Sequence, residues 1–129
     1  MKPLADRVVR RIVAAVLAGE RRRADVSVTF LGPARMRTLN REHLGHDRPT
    51  DVISFALPAP DGGLMGDVYV CRAEAARQAK ALGVPLREEL VRLVVHGTLH
   101  VLGYDHPEGE GRTTSAMWRR QERYVRRLA

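Results

Sequence analysis

Three of the chain's five histidines lie within the eleven residues HGTLHVLGYDH, at positions 96 to 106. His96 and His100 are four residues apart, so on a helix they share one face, with Cβ atoms about 5–6 Å apart. Gly103 permits a left-handed turn that folds the chain back, and His106 then supplies a third ring nitrogen. Three imidazoles leave a coordination position of zinc open, which is typical of catalytic sites. The spacing therefore predicts one zinc ion per chain.

The ligand frame H-x-x-x-H-x-x-G-x-x-H also occurs in the metzincin proteases, where a glutamate directly after the first histidine is the general base. Gly97 occupies that position here. Because glycine has no carboxylate to accept a proton, the usual route of peptide hydrolysis is missing. The pattern therefore predicts the metal site but makes a metalloprotease the least favoured function.

The elements that position these histidines can be predicted from apolar periodicity and from turn residues. A long helix is expected from about 86 to 102, ended by Gly103. Alternating apolar residues predict strands at 24–31, 52–57 and 67–71, and the turn-rich segment 58–66 makes the last two an antiparallel hairpin. Further helices are expected from the N-terminus to about Gly19, from Gly32-Pro33 through Asn40, at 72–82 and at about 110–127.

Strands interleaved with helices predict an α/β (α+β) fold: one domain over residues 1–129, with a small mixed sheet surrounded by helices. The metal site is expected on the long helix and the turn that follows it. No stretch approaches the length of a transmembrane span, and Arg7, Arg10 and Arg11 interrupt the apolar N-terminal run. The interpretation is a cytoplasmic protein without a signal peptide or membrane contact.

The formal net charge is +7, and 20 of the 22 basic residues are arginine. A strongly basic chain favours a polyanionic partner, although a solvated basic surface is the plain alternative. The last helix carries Arg119, Arg120 and Arg123, which are candidates for binding an RNA backbone. A solvent-exposed helix face explains these three residues equally well.

HGTLHVLGYDH resembles the signature of the YbeY family of bacterial rRNA maturation factors and endoribonucleases. LNREHLGHDRPTDVISF at 39–55 and MGDVYVC at 65–71 resemble two further family segments, in the expected order. The resemblance covers nearly the whole chain. It implies zinc bound by the three histidines, hydrolysis of single-stranded RNA, processing of the 16S rRNA 3′ end and ribosome quality control. It also implies small-subunit ribosomal proteins and the GTPase Era as partners.

One position departs from the family pattern. The family's loop commonly carries an arginine, considered functionally important, where this chain has Leu44. Arg41 and Arg48 are the nearby candidates for its role, and either could equally be a solvated loop charge. His43 and His46 lie on the same polar segment and are expected to face solvent or form hydrogen bonds rather than bind the metal.

Asp105 has two interpretations: it orients a ligating histidine, or it stabilises the turn after Gly103. Thr50 and Asp51 likewise either line the cleft or belong to a simple turn. The favoured function is a zinc-dependent endoribonuclease. The alternative is a ribosome-assembly factor whose zinc is mainly structural, and Leu44 gives this alternative some support.

Overall fold

The computed structural model describes residues 2–106 and 111–129. Its strands form one three-stranded sheet in the order β1-β3-β2, with β1 parallel and β2 antiparallel to the central β3. The prediction of an α+β fold with a small mixed sheet is therefore confirmed. The elements are α1 (Asp6–Glu20), β1 (Asp25–Leu31), α2 (Pro33–Leu44), β2 (Val52–Pro58), β3 (Leu64–Cys71), α3 (Arg72–Leu82), α4 (Leu86–Val101), a 3₁₀ turn (Arg112–Thr114) and α5 (Ala116–Leu128).

Helix α4 occupies the centre of the fold. Successive side chains of β3 point to opposite faces of the sheet. Val68 and Val70 join the main core with α4, whereas Cys71 joins a smaller core with Met36 of α2 on the other face. Helices α1, α3 and α5 pack around the remaining sides of α4. The helix that carries two of the predicted ligands is thus the most enclosed element of the described chain.

Two glycines bring α4 very close to β3. A Cβ atom at Gly97 would overlap the side chain of Val68, and one at Gly66 would overlap Val101. Each valine thus fills the space that the opposite glycine leaves free. Position 97, where a metzincin carries its glutamate, has no room for a side chain, and the helix packs against the sheet through that face.

One predicted helix cap and one predicted helix end are wrong. Helix α1 runs to Glu20, and Arg21 provides its left-handed cap with φ 55°. Gly19 serves packing instead, because a Cβ atom there would overlap the hydroxyl of Tyr124. Helix α2 continues past Asn40 to Leu44, where Gly45 caps it with φ 76°.

The other differences concern β3 and the last helix. Strand β3 begins at Leu64 rather than at residue 67, because its pairing with β2 extends to Pro58. The first residue of the helix expected at about 110–127 lies outside the described residues. Helix α5 begins only at Ala116, because Ser115 caps it: its Oγ accepts a hydrogen bond from the Trp118 amide at 3.1 Å. In the described part of the chain, no helix combines the length and apolar character needed to span a membrane.

Candidate metal centre

The three histidines come together through the end of α4 and the turn that follows. His96 and His100 lie on the last two turns of α4. Gly103 then adopts φ 100° and donates its N–H to the His100 carbonyl at 2.9 Å, which reverses the chain. The reversal brings the His106 ring centroid within 4.9 Å of His96 and 5.1 Å of His100. One nitrogen from each ring lies within 4.8 Å of the other two.

Hydrogen bonds define which nitrogen of each α4 histidine is free. His96 Nδ1 lies 2.6 Å from Gln121 Oε1, and Gln121 Nε2 donates to Glu122 Oε2 at 3.0 Å. With its nitrogen used in this way, the amide presents its oxygen to His96. His100 Nδ1 lies 2.8 Å from the Tyr104 carbonyl oxygen, which can only accept. Both Nδ1 atoms therefore carry the proton, and both Nε2 atoms keep a lone pair for a metal.

The geometry and the protonation of this donor set fit zinc. His96 Nε2 and His106 Nε2 are 3.3 Å apart. Two nitrogens on one tetrahedral zinc ion, each at about 2.0–2.1 Å from the metal, are also about 3.3 Å apart. Burial lowers the pKa of His96 to about 4 and also lowers the pKa of His100. The rings of His96 and His100 are therefore neutral near pH 7, which is the form that binds metals, although imidazole also suits copper, nickel and iron.

The histidines line one wall of an open cleft of about 560 Å³, called the metal cleft here. Its other walls come from the end of α2 and the loop after it, from β2, from α3 and from the 3₁₀ turn. A ligand in the metal cleft can therefore reach the three histidines directly. The lining residues outside the triad include Leu44, Arg48, Thr50, Asp51, Phe55, Gln78 and Arg112.

The two candidate arginines differ in position. Arg48 lines the metal cleft, whereas Arg41 lies outside its lining, 3.6 Å from Asp47. The same carboxylate also accepts two hydrogen bonds from Arg37, at 2.8 and 3.0 Å. Leu44 lines the cleft with 52% of its surface exposed. Of the two arginines, Arg48 is the one that can face a phosphate in the metal cleft.

The acidic residues near the triad make structural contacts. Asp105 Oδ1 accepts a hydrogen bond from the backbone N–H of His106 at 2.8 Å, which favours the turn role of its two interpretations. Asp51 lines the cleft, but its two oxygens accept from the Val52 amide at 2.8 Å and from Gln78 Nε2 at 2.9 Å. None of these three hydrogen bonds involves a histidine ring.

His43, in the last turn of α2, and His46, in the loop that follows, both lie outside the triad. His43 places its ring edge-on to Phe55 at 5.2 Å, and both His43 and His46 are exposed. Neither belongs to the group of described residues whose ligand atoms converge.

The three arginines predicted to bind RNA lie on α5, and none lines the metal cleft. Arg119 donates to the Thr114 carbonyl at 2.6 Å, and Arg123 is exposed. Arg120 lies 3.2 Å from the Glu20 carboxylate, so it already has an internal partner. RNA binding by this helix stays a prediction.

Two residues of the site were not foreseen from the sequence. Gln121, which fixes the ring of His96, is 1% exposed and lies 25 residues further along the chain. Arg112 lines the metal cleft six residues after His106, and its Nε is buried without a hydrogen-bond partner among the described residues. The position of Arg112 shortly after the third histidine could have predicted that it lines the cleft. Nothing in the arginine-rich sequence of α5 singles out Gln121 as the partner of His96.

The fold and the site define a small α+β domain with three converging histidines beside an open cleft that two arginines line. A family model described as "Endoribonuclease YbeY" matches residues 2–129, and the chain belongs to this family. The resemblance noted in the sequence is thereby confirmed.

Proteins named "Endoribonuclease YbeY" are among the relatives of this chain. The protein from Desulfitobacterium hafniense is 44% identical over 119 residues, which cover 84% of this chain and 74% of the relative. That from Geobacter sulfurreducens is 36% identical over 129 residues, covering 95% and 85%. That from Persephonella marina is 40% identical over 90 residues, and the match spans 67% of this chain and only 59% of the relative.

A solved structure has the same fold. The solution structure of TM1509 from Thermotoga maritima superposes with a TM-score of 0.67 at 27% sequence identity. The match covers 98% of this chain and 85% of the other. The arrangement of the elements around α4 is thus shared with an experimentally determined protein.

Proposed function

We propose that this chain is a zinc-dependent endoribonuclease that hydrolyses phosphodiester bonds in single-stranded RNA. The observation that carries the proposal is the convergence of three histidine nitrogens within 4.8 Å at the wall of an open cleft. Hydrogen bonds at Nδ1 hold the rings of His96 and His100, so the Nε2 lone pairs of both rings face the centre of the triad. The names of the relatives supply the substrate class, and the basic cleft agrees with it.

His96, His100 and His106 would hold the zinc ion, one per chain. When bound, zinc supplies a Lewis acid for a phosphate oxygen and lowers the pKa of water at its open position. The protein's own contribution is to keep the rings of His96 and His100 neutral and oriented. Gln121 and the Tyr104 carbonyl do this for the two α4 rings, through the hydrogen bonds at 2.6 and 2.8 Å.

Arg48 and Arg112 would bind the phosphate in the metal cleft and stabilise the negative charge that develops on it during hydrolysis. Both line the cleft together with the histidines. Leu44, at the usual position of the family's arginine, supplies no charge. Arg48 and Arg112 therefore take over the electrostatic part of that role in this chain. Arg41, the other candidate, is held by Asp47.

Residues 1–129 would form one metal-dependent hydrolase domain that acts on ribosomal RNA. Its substrate would be the 3′ end of 16S rRNA, with a second role in ribosome quality control. Small-subunit ribosomal proteins and the GTPase Era are the proposed partners, and the site of action is the cytoplasm. On α5, Arg119 and Arg123 would add contacts to the RNA backbone, and Arg120 would do so when it leaves Glu20.

The other two functions differ in how well the site supports them. An assembly factor with structural zinc needs a closed four-ligand site, whereas this triad lines an open cleft of about 560 Å³. A metalloprotease of the metzincin type needs a glutamate at position 97, where a Cβ atom would overlap Val68. The geometry favours the nuclease over both.

The test compares the zinc-loaded protein with His100→Ala on a labelled single-stranded RNA. His43→Ala is the matched control, because His43 is an exposed histidine outside the triad. We expect wild type and His43→Ala to cleave. We expect His100→Ala to bind no zinc and to lose at least about 100-fold in rate, since even the loss of a residue that only orients a metal ligand costs about 10–100-fold.

Each other outcome has a definite meaning. Equal cleavage by all three proteins would identify a contaminating ribonuclease and refute the proposal. Zinc binding without cleavage by the wild type would favour the assembly factor. Cleavage of casein that disappears with a chelator would revive the protease.

A further inference from the structure

A second pocket, called the side pocket here, adjoins the metal cleft and takes no part in the function proposed above. It has a volume of about 460 Å³ and lies between α3, α4 and the segment from the 3₁₀ turn into α5. Pockets for small molecules usually have volumes of about 300–1,000 Å³. Its apolar walls are Ala81, Leu82, Val84, Leu93 and Trp118.

The side pocket communicates with the metal cleft. Gln78, His96 and Arg112 line both spaces. A ligand group in the side pocket therefore lies directly beside His96, one of the three histidines of the triad. A molecule long enough to fill both spaces would place one group in apolar surroundings and an adjacent group at the triad.

The walls of the side pocket combine an aromatic surface with polar groups at the edge. Trp118 is half-buried, and its backbone N–H donates to Ser115 Oγ at 3.1 Å, which fixes the backbone that carries the indole. Leu82 is 61% exposed at the rim. Gln78 and Thr113 offer hydrogen-bonding groups beside this apolar surface. A flat, aromatic ligand with polar edges matches these walls better than a purely aliphatic one.

Arg112 marks the boundary between the two spaces. Its guanidinium carbon lies 5.4 Å from the centroid of the Trp118 ring, within the range of a cation–π contact. Its Nε is buried and has no hydrogen-bond partner among the described residues. A buried donor of this kind is costly unless a partner satisfies it. An anionic oxygen on the ligand, at the junction of pocket and cleft, would supply that partner.

We propose that the side pocket binds one unpaired nucleobase of the RNA, whose adjoining phosphate lies in the metal cleft. The inference rests on the proposed function and names how the substrate is held. The base lies against Trp118 and Leu82, and Arg112 hydrogen-bonds the phosphate that connects the base to the cleft. Bases stack on aromatic side chains only when they are unpaired, so the side pocket selects single-stranded RNA over duplex.

The sole tryptophan of the chain makes a direct test possible. Trp118 fluorescence is titrated with a single-stranded oligoribonucleotide, using the zinc-loaded protein and reading each point in a time that is short against cleavage, and a gel records how much of the strand is cut. The same titration is run with an abasic strand of equal length. We expect the RNA to quench the fluorescence with saturation, and the abasic strand to bind more weakly and with much less quenching.

Two pairs of variants separate base binding from general damage. Trp118→Leu should weaken RNA binding roughly tenfold and Trp118→Phe should retain it, as expected when an aromatic ring stacks on a base. Leu82→Ser should weaken binding, whereas Leu57→Ser should not. Leu57 is the matched control because it is 59% exposed and lies outside both spaces, against 61% for Leu82.

The inference and the proposed function fail in different ways. Quenching by RNA without cleavage would leave the side pocket as a base site and refute the nuclease. RNA binding seen by anisotropy without tryptophan quenching, equal quenching by the abasic strand, or wild-type affinity in Trp118→Leu and Leu82→Ser would overturn the inference. A peptide that quenches where RNA does not would reassign the pocket to a protein partner.

Discussion

Two clusters of polar side chains lie on either side of Tyr104, and their hydrogen bonding differs. In the metal centre, one ring nitrogen from each of three histidines lies within 4.8 Å of the other two, and His96 Nε2 and His106 Nε2 are 3.3 Å apart. In the second cluster, the Glu20 carboxylate accepts from the Tyr104 hydroxyl at 2.6 Å, the Tyr124 hydroxyl at 2.5 Å and Arg120 at 3.2 Å. We call this second group the Glu20 cluster.

The difference shows how to tell a ligand site from a structural one. In the Glu20 cluster the charged acceptor faces three donors, so its hydrogen bonding is complete within the chain. In the metal centre, the Nε2 lone pairs of His96 and His100 face the centre of the triad, where a cation would find nitrogen ligands. Tyr104 serves both groups, because its hydroxyl donates to Glu20 while its carbonyl oxygen accepts from His100. Its position links the stability of the turn to the orientation of a ligand.

The largest effect is expected from removing the centre of the Glu20 cluster. Glu20→Ala leaves two tyrosine hydroxyls and Arg120 without their shared acceptor, whose side chain is only 4% exposed. We expect the free energy of unfolding to fall by about 2–3 kcal/mol, because three part-buried donors lose their hydrogen-bond acceptor, with zinc still bound at one ion per chain. Urea unfolding and zinc titration measure the two quantities.

A control and a pH series sharpen this test. Glu42→Ala removes an exposed glutamate and should change stability by less than about 0.5 kcal/mol.

Burial acts to raise the pKa of Glu20, but its three donors together outweigh burial and hold the pKa below its usual 4.5. The carboxylate therefore stabilises the fold above pH 4.5 and loses this effect as the pH falls through the folded-state pKa. The difference between wild type and Glu20→Gln must narrow in acid, and a constant difference would contradict the cluster's role.

The second-largest effect is expected from changing Gln121, which orients the ring of His96. Gln121→Leu removes the acceptor that holds His96 Nδ1–H at 2.6 Å, so the ring loses its fixed orientation. We expect zinc affinity to fall about 10–100-fold in Gln121→Leu, and Gln121→Glu to retain most of it because a carboxylate also accepts. Competition with a chelator measures the affinity. Equal losses in both variants, or equal melting-temperature losses without zinc, would indicate a packing role instead.

Much of the fold and the metal site could be predicted because both depend on local spacing. Period-two alternation located β1, and the hairpin residues made β2 and β3 antiparallel. The i, i+4 spacing of His96 and His100, followed by the turn at Gly103, was sufficient to propose the three ligands, which the structure brings together. These signals need no knowledge of how distant segments pack.

The remainder depends on contacts between segments that are far apart in the chain. The Glu20 cluster joins residues separated by 84 and 104 positions, and no periodicity in the sequence encodes such a pairing. Gly19 looked like a helix end, whereas its lack of a side chain makes room for Tyr124. Gln121 acquires its role only when α5 packs on α4. The orienting contacts of a site are therefore harder to foresee than its ligands.

The smallest expected effect distinguishes two arginines of α5. Arg120 is bound in the Glu20 cluster, whereas Arg123 is exposed three residues further on. If exposed arginines contact the RNA backbone, Arg123→Gln should reduce the slope of log affinity against log salt concentration by about 0.7. Arg120→Gln should leave the slope unchanged but lower stability. Anisotropy titrations at several salt concentrations measure the slopes. A flatter slope in Arg120→Gln would mean that Arg120 leaves Glu20 for the phosphate, and the Glu20 cluster would then belong to the RNA-binding surface as well as to the core.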